Sequence, residues 1–158
     1  AVIYDVGAGT GSVSIEAALQ GENLRVYAIE KNPEGAELIR KNMQKFRTDQ
    51  IQVIEGVAPE ALEALEMPTH AFIGGSSGNL KEIVKLLLEK NSHVRIVINC
   101  ITLETVTEAM NAIRDFSLTD VDIVQLSAAR SKSIGRYHMM MGENPIYIIS
   151  CSGRGEEI

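Results

Sequence analysis

Long apolar runs are missing from this chain. No stretch approaches the roughly 20 residues that a bilayer-spanning helix needs, and no secretory signal precedes the first strand-like run. No membrane partner is expected. Cysteine is scarce. Cys100 and Cys151 lie in or beside apolar strand-like runs without metal-ligand spacing, which reads as two free buried thiols, a reducing cytoplasm and no metal site. A basic surplus is lacking too, since 15 Lys and Arg against 21 Asp and Glu give a net charge of −6. A nucleic-acid partner usually leaves a basic footprint, so that class is disfavoured. Gly-Lys-Ser/Thr occurs nowhere, which removes the phosphate-cradling P-loop. Repeats, low-complexity tracts and linkers are absent as well. The 158 residues, 45% apolar and 23% charged, therefore read as a single globular domain, 1–158, with room for a sizeable core.

What is present is concentrated in the first eleven residues. Ala1 to Val6 is an apolar run typical of a buried parallel strand, with Asp5 near its end. Gly7, Gly9 and Gly11 then alternate with Ala8 and Thr10, and Ser12 to Leu19 reads as a helix. Strand, glycine loop and helix together form the turn that brings a nucleotide against bare backbone at the carboxyl edge of an open α/β sheet. Glycine suits the turn because a Cβ at Gly7 or Gly9 would block close approach, and because such turns often need positive φ. Val26 to Glu30 is a second strand ending in an acid, 21 residues beyond Gly9. That is about the distance at which a Rossmann-type fold sets a carboxylate on ribose hydroxyls. The dinucleotide fingerprint is not matched: its last position falls on Ser12, and Gly11 comes one residue early. Asp5-x-Gly7-x-Gly9-x-Gly11 instead resembles the first motif of the S-adenosylmethionine-dependent methyltransferases. That cofactor has no phosphate; it has an ammonium for Asp5 to favour, a ribose diol for Glu30, and an adenine. The rival reading is that both acids only cap neighbouring elements.

The remaining pattern alternates strand and helix. Asn32-Pro33 starts a helix in which Ala36, Ile39, Met43 and Phe46 recur at the spacing of a sheet-facing stripe. Ile51 to Ile54 is a third strand, and Glu55-Gly56-Val57-Ala58-Pro59 turns into another helix. Thr69 to Ile73 is a fourth strand leading into Gly74-Gly75-Ser76-Ser77-Gly78, and an amphipathic helix starts at Leu80. Val94 to Asn99 is a fifth strand, followed by a helix marked by Leu103, Val106, Met110 and Ile113. Val121 to Leu126 and Ile146 to Cys151 are the sixth and seventh strands. No helical pattern lies between these two, so they are expected to pair antiparallel as a hairpin spanning Ser127 to Pro145. The expected fold is α/β: a Rossmann-like, seven-stranded methyltransferase sheet with its last strand antiparallel, in three αβα layers.

Asp5-Val6-Gly7-Ala8-Gly9-Thr10-Gly11-Ser12-Val13, Glu55 to Leu62, Phe72 to Gly78, Ile101-Thr102-Leu103-Glu104-Thr105 and Asn144-Pro145-Ile146-Tyr147 occur in that order. Together, and from end to end of the chain, they resemble the CbiT family, the decarboxylating precorrin-6 methyltransferases of cobalamin biosynthesis. That family includes the carboxy-terminal half of fused precorrin-6Y C-5,15-methyltransferases. The resemblance implies methylation at C-15 of precorrin-6B or cobalt-precorrin-6B by S-adenosylmethionine, with decarboxylation of the C-12 acetate. It also implies a tetrapyrrole substrate, a homo-oligomer, and fusion to or cooperation with a second precorrin methyltransferase. Carried over by motif, the cofactor residues are Gly7, Ala8, Gly9, Thr10, Gly11, Glu30 and Ala58, beside Asp5. Two departures are visible. Val57 stands where the family commonly has an acid, and the upstream segment that supplies a further cofactor contact is expected to be missing from a chain that begins inside its first strand.

On the substrate side, Gly74, Gly75, Ser76 and Gly78 replace the Asn/Asp-Pro-Pro-Tyr motif that holds an amine in other methyltransferases, and they suit a large flat molecule lying on backbone. A flexible turn is the alternative. Candidate proton carriers are His138, Tyr137 and Glu104, whereas His70 falls at the amino edge of its strand and reads as a surface residue. Arg130 and Arg136, with Lys132, are the cations expected to meet the carboxylate arms of the macrocycle; a solvated loop is the rival. Met139-Met140-Met141 reads either as packing or as a soft face for a tetrapyrrole. Two other functions compete, a tRNA adenine methyltransferase and a cofactor-binding module of a longer protein that is not itself catalytic.

Overall fold

The computed structural model describes residues 1–156 and places β1 (Val2–Val6) near the middle of a seven-stranded sheet. β2 (Arg25–Glu30) and β3 (Ile51–Glu55) continue the sheet on one side, β4 (His70–Ile73) and β5 (Arg95–Cys100) on the other, all parallel. β9 (Ile146–Ser152) runs antiparallel beside β5, and β6 (Thr119–Leu126) closes the edge antiparallel to β9. The order β3-β2-β1-β4-β5-β9-β6 is the expected methyltransferase sheet.

Helices cover both faces. α1 (Ser12–Ala18) and α2 (Pro33–Phe46) pack on one, α3 (Leu80–Lys90) and α4 (Leu103–Asp115) on the other. The alternation within β2 shows the division: Val26 and Ala28 join Ile15, Ala18 and Ile39, whereas Ile29 joins the larger cluster of Leu80, Ile83 and Leu87. Strands buried on both faces read as continuous apolar runs, which is how β1 and β5 read in the sequence. Asn32 caps α2 by accepting the Glu34 N–H at 3.2 Å, and Thr102 caps α4 by accepting the Thr105 N–H at 3.1 Å. Cys100 and Cys151 are free and buried, and burial pushes the Cys151 thiol up to about 11.

Three local expectations need correction. The helix after Pro59 is only a 3-10 turn, Glu60–Leu62. The carbonyls that a continuing helix would use are taken from outside: Lys90 Nζ donates to Glu63 O at 2.9 Å and Leu65 O at 2.7 Å. Glu66 is held by Tyr27 Oη at 2.8 Å and Arg25 at 3.0 Å, with Tyr4 Oη donating to its carbonyl. Phe46 does not face the sheet; it ends α2 before the left-handed Arg47, exposed beneath Lys45. α4 forms where Leu103, Val106, Met110 and Ile113 mark it, with Leu103 and Met110 exposed and Ala109 and Ala112 buried. The stretch from Ser127 to Pro145 is not a plain hairpin loop but holds a second sheet, a ribbon of β7 (Ala129–Ile134) and β8 (Tyr137–Gly142) joined by the two-residue turn Gly135-Arg136. Gly135 has φ 60, as a two-residue hairpin requires.

Candidate active site

The site forms where the carboxyl ends of β1 to β5 meet. Gly7 leaves β1 with φ 72, and a Cβ there would lie 2.7 Å from the backbone N and O of Gly75. Main chain from two loops is in direct contact, so no side chain fits between them. Gly9 differs. Its surroundings are open, and glycine is required by φ 58 rather than by lack of room.

Glu30 ends β2 and turns its carboxylate back over this loop. Oε2 accepts the Gly9 N–H at 2.7 Å, and Oε1 accepts the Asn32 N–H at 3.1 Å. A carboxylate offers about four lone-pair sites, so two remain for a diol. Glu30 borders a cavity of about 250 Å³, floored by Val6 and Ile29 and walled by Gly56 to Ala58 and by Gly75 to Ser77. Val57 gives it an exposed apolar side chain where the resembled family commonly has an acid. Apolar walls, bare backbone and a carboxylate fit the adenine, the chain and the ribose of S-adenosylmethionine.

Asp5 does not line this cavity. It is 1% exposed and accepts the Ser14 Oγ hydrogen at 2.6 Å, tying the end of β1 to α1. Burial pushes its carboxyl up to about 6, with bonds from Ser14 opposing and the charge of Glu30 adding to the rise. Ala8 donates its N–H to Ile29 O at 2.9 Å, and the Thr10 carbonyl accepts from Asn42 Nδ2 at 2.9 Å. Ser14 and Asn42 brace the glycine loop through side chains that no motif marks. Lys31, also unmarked, borders the cavity and donates to Ser77 Oγ at 3.1 Å, spanning from β2 to the loop after β4.

A second cavity, of about 190 Å³, lies between the loop after β4 and the start of α4, and shares Gly75 and Ser76 with the first. Ile73, Leu80 and Ile98 are its apolar floor, and Asn99, Thr102 and Thr105 are among its polar walls. Gly74 lines this cavity only, and Gly78, with φ 82, stands in open space.

The other sequence candidates are elsewhere. Tyr137 and His138 sit on β8, exposed along its whole length, and Glu104 is exposed in the first turn of α4. Arg130 lies on β7 and Arg136 in the ribbon turn. None of these five lines either cavity. Residues opposite each other in an antiparallel ladder share a face, and successive residues alternate. Arg130 and Lys132 therefore share a face with Met141, Met139 and Tyr137, while His138 is on the other with Met140. The methionine run is exposed rather than packed in the core. His70 is exposed at the amino end of β4, as its position implied.

Comparison with known proteins agrees with this geometry. The family model for the precorrin methyltransferase domain matches residues 1–152. A probable cobalt-precorrin-6B C(15)-methyltransferase (decarboxylating) of Pyrobaculum calidifontis is 40% identical over 151 residues, covering 94% of this chain and 77% of that protein. The crystal structure of a precorrin-6y C5,15-methyltransferase from Geobacter metallireducens superposes with a TM-score of 0.87 at 38% identity, covering 96% of this chain and 80% of that one. The precorrin 8w decarboxylase of Methanobacterium thermoautotrophicum superposes with a TM-score of 0.84 at 39% identity, over 95% and 80% of the two chains.

Proposed function

Since this chain belongs to the precorrin methyltransferase family, we propose that it methylates C-15 of precorrin-6B or cobalt-precorrin-6B and decarboxylates the C-12 acetate, leaving a methyl group and releasing carbon dioxide. The observation that carries the reading is the pair of cavities sharing Gly75 and Ser76, one fitted to the cofactor and one free for substrate. When bound, S-adenosylmethionine supplies an electrophilic methyl group on sulfur. The protein would hold the ribose with Glu30, leave the Gly7 and Gly75 backbone bare for close approach, and present Val57 and Ala58 to the base; Ala8, Gly9, Thr10 and Gly11 do not line the cavity and would act by shaping the loop. A macrocycle carbon made electron-rich by conjugated pyrroles needs alignment and exclusion of water more than a strong base. Proton movements fall to Tyr137, His138 or Glu104 only if the substrate, or a second copy of the chain, brings them to the cavities.

The ribbon supports two further parts of the proposal. Its Arg130, Lys132 and Arg136 offer cations to the carboxylate arms, and its Met139, Met141 and Tyr137 offer an apolar face beside them. Edge strand β6 is itself unusually apolar for an exposed strand, with Val124 41% and Leu126 49% exposed on one face, which favours a homo-oligomer. The free thiols fit a cytoplasmic enzyme. Incubation with precorrin-6B and methyl-labelled cofactor tests the function. Methyl incorporation together with carbon dioxide release is the expected result. A chain that binds cofactor but transfers methyl only to tRNA adenine, or transfers none, refutes it.

A further inference from the structure

The second cavity has a composition of its own. No charged side chain lines it, and its polar groups include Asn99 and the hydroxyls of Thr102 and Thr105, which lie 2.9 Å apart. Asn99 stands near the carboxyl end of β5, and its side-chain oxygen is buried without a hydrogen-bond partner, one of two such side-chain atoms among the described residues. The other, Thr48 Oγ1, is at neither cavity. Buried polar groups are nearly always paired, so the unpaired amide oxygen of Asn99 shows a side chain that the fold does not lock beside an apolar hollow. With nothing holding the oxygen, the amide is free to turn an N–H into the hollow.

Resting on the function proposed above, we propose that this cavity receives the arm whose carboxylate the reaction removes, and that Asn99 positions that carboxylate. In the step, the bond between the carboxyl carbon and its methylene breaks and its electron pair passes into the conjugated macrocycle. Carbon dioxide leaves, and a proton from solvent water turns the methylene into a methyl group. A cation would hold the departing carboxylate in its charged ground state and oppose this. Neutral donors orient the carboxylate, while apolar walls strip its hydration and favour the spreading of charge into the ring. The free cations of the ribbon suit arms that keep their charge, and the uncharged hollow suits the arm that gives up its carboxylate. Shared Gly75 and Ser76 place that arm next to the cofactor cavity, as methylation on a neighbouring part of the same ring requires.

The test uses the full chain with precorrin-6B and methyl-labelled cofactor, counting methyl transfer and carbon dioxide separately. Asn99→Ala should slow carbon dioxide release roughly ten- to hundredfold relative to methyl transfer, the size of a lost hydrogen bond to a charged group. A methylated product that keeps the acid should accumulate. Asn99→Asp, almost identical in shape, should be worse than Asn99→Ala because it sets a second carboxylate against the first. Thr105→Val should shift the ratio in the same direction by less, and serves if the Asn99 variants fail to fold, as judged by cofactor affinity. A wild-type ratio in Asn99→Asp, or equal loss of both activities in every variant, overturns the assignment while leaving the function standing. A wild-type chain that releases neither label overturns the function itself.

Discussion

Replacing Asp5 by Asn should stabilise the protein at neutral pH and flatten the pH dependence of its unfolding. Asp5 is 1% exposed, and its carboxyl titrates at about 6 rather than at the ordinary 3.8, chiefly because burial disfavours the charge. The folded protein therefore holds this proton more tightly than the unfolded chain does. Stability falls as pH rises from about 4 to about 6, and the loss is complete above that window. The difference between the two values corresponds to about 3 kcal/mol at neutral pH. Asn keeps an acceptor for Ser14 and carries no charge. It forfeits part of the gain, because a neutral acceptor makes a weaker bond than a carboxylate. A net stabilisation of about 1–3 kcal/mol remains. Urea unfolding followed by circular dichroism at pH 4.5 and pH 7.5 measures it. The variant should gain most at the higher pH, and cofactor affinity should fall if the carboxylate serves the ammonium. Equal or lower stability of the variant at pH 7.5 would refute the reasoning.

Glu30→Ala should weaken cofactor binding by about 1.5–3 kcal/mol for each ribose bond lost, or roughly ten- to hundredfold per bond, as read by calorimetry with S-adenosylhomocysteine; unchanged affinity removes Glu30 from the site. NADH should bind neither the wild type nor this variant, and tight NADH binding alone would sink the cofactor assignment. Gly7→Ala should abolish cofactor binding even where the chain still folds, because its Cβ would meet Gly75 backbone at 2.7 Å. Arg130→Ala with Arg136→Ala should weaken precorrin binding and leave cofactor affinity nearly unchanged; normal substrate binding in the double variant moves recognition to the Gly74–Gly78 loop.

The sheet, and the meeting of Gly7, Glu30 and Ala58 around one cavity, were legible because their signals are local. Alternate glycines, a strand-end acid at the right distance and apolar runs buried on both faces each depend on a few neighbouring residues. What the sequence concealed depends on partners far along the chain. The helix-rich composition of Glu60 to Glu66 gives no hint that Lys90 and two tyrosines will claim its polar groups. The ribbon from Ala129 to Gly142 lacks apolar alternation because it does not bury a face against the domain, so the usual strand signal never arises. Tyr137 and His138 each read as a candidate proton carrier, yet as consecutive residues of a strand they point opposite ways, so at most one can face a given site. Asn99 and Lys31 went unnoticed because a lone asparagine or lysine near a strand end carries no pattern; only the cavities beside them give them meaning.

The partition between the two cavities has a mechanical consequence. At Gly75 it is one backbone thick, held to β1 by the Gly74 and Gly75 N–H groups that both donate to Val6 O, at 2.9 and 3.3 Å. A wall made of side chains has rotamers, and each rotamer would set a different gap between the two reactants. This wall has none at its narrowest residue. With methyl donor and acceptor in the two cavities as proposed, their spacing is fixed by the sheet, and its tolerance is that of paired strands. For a reaction that depends on alignment more than on acid or base, rigidity of that kind belongs to the catalytic apparatus even though no functional group supplies it.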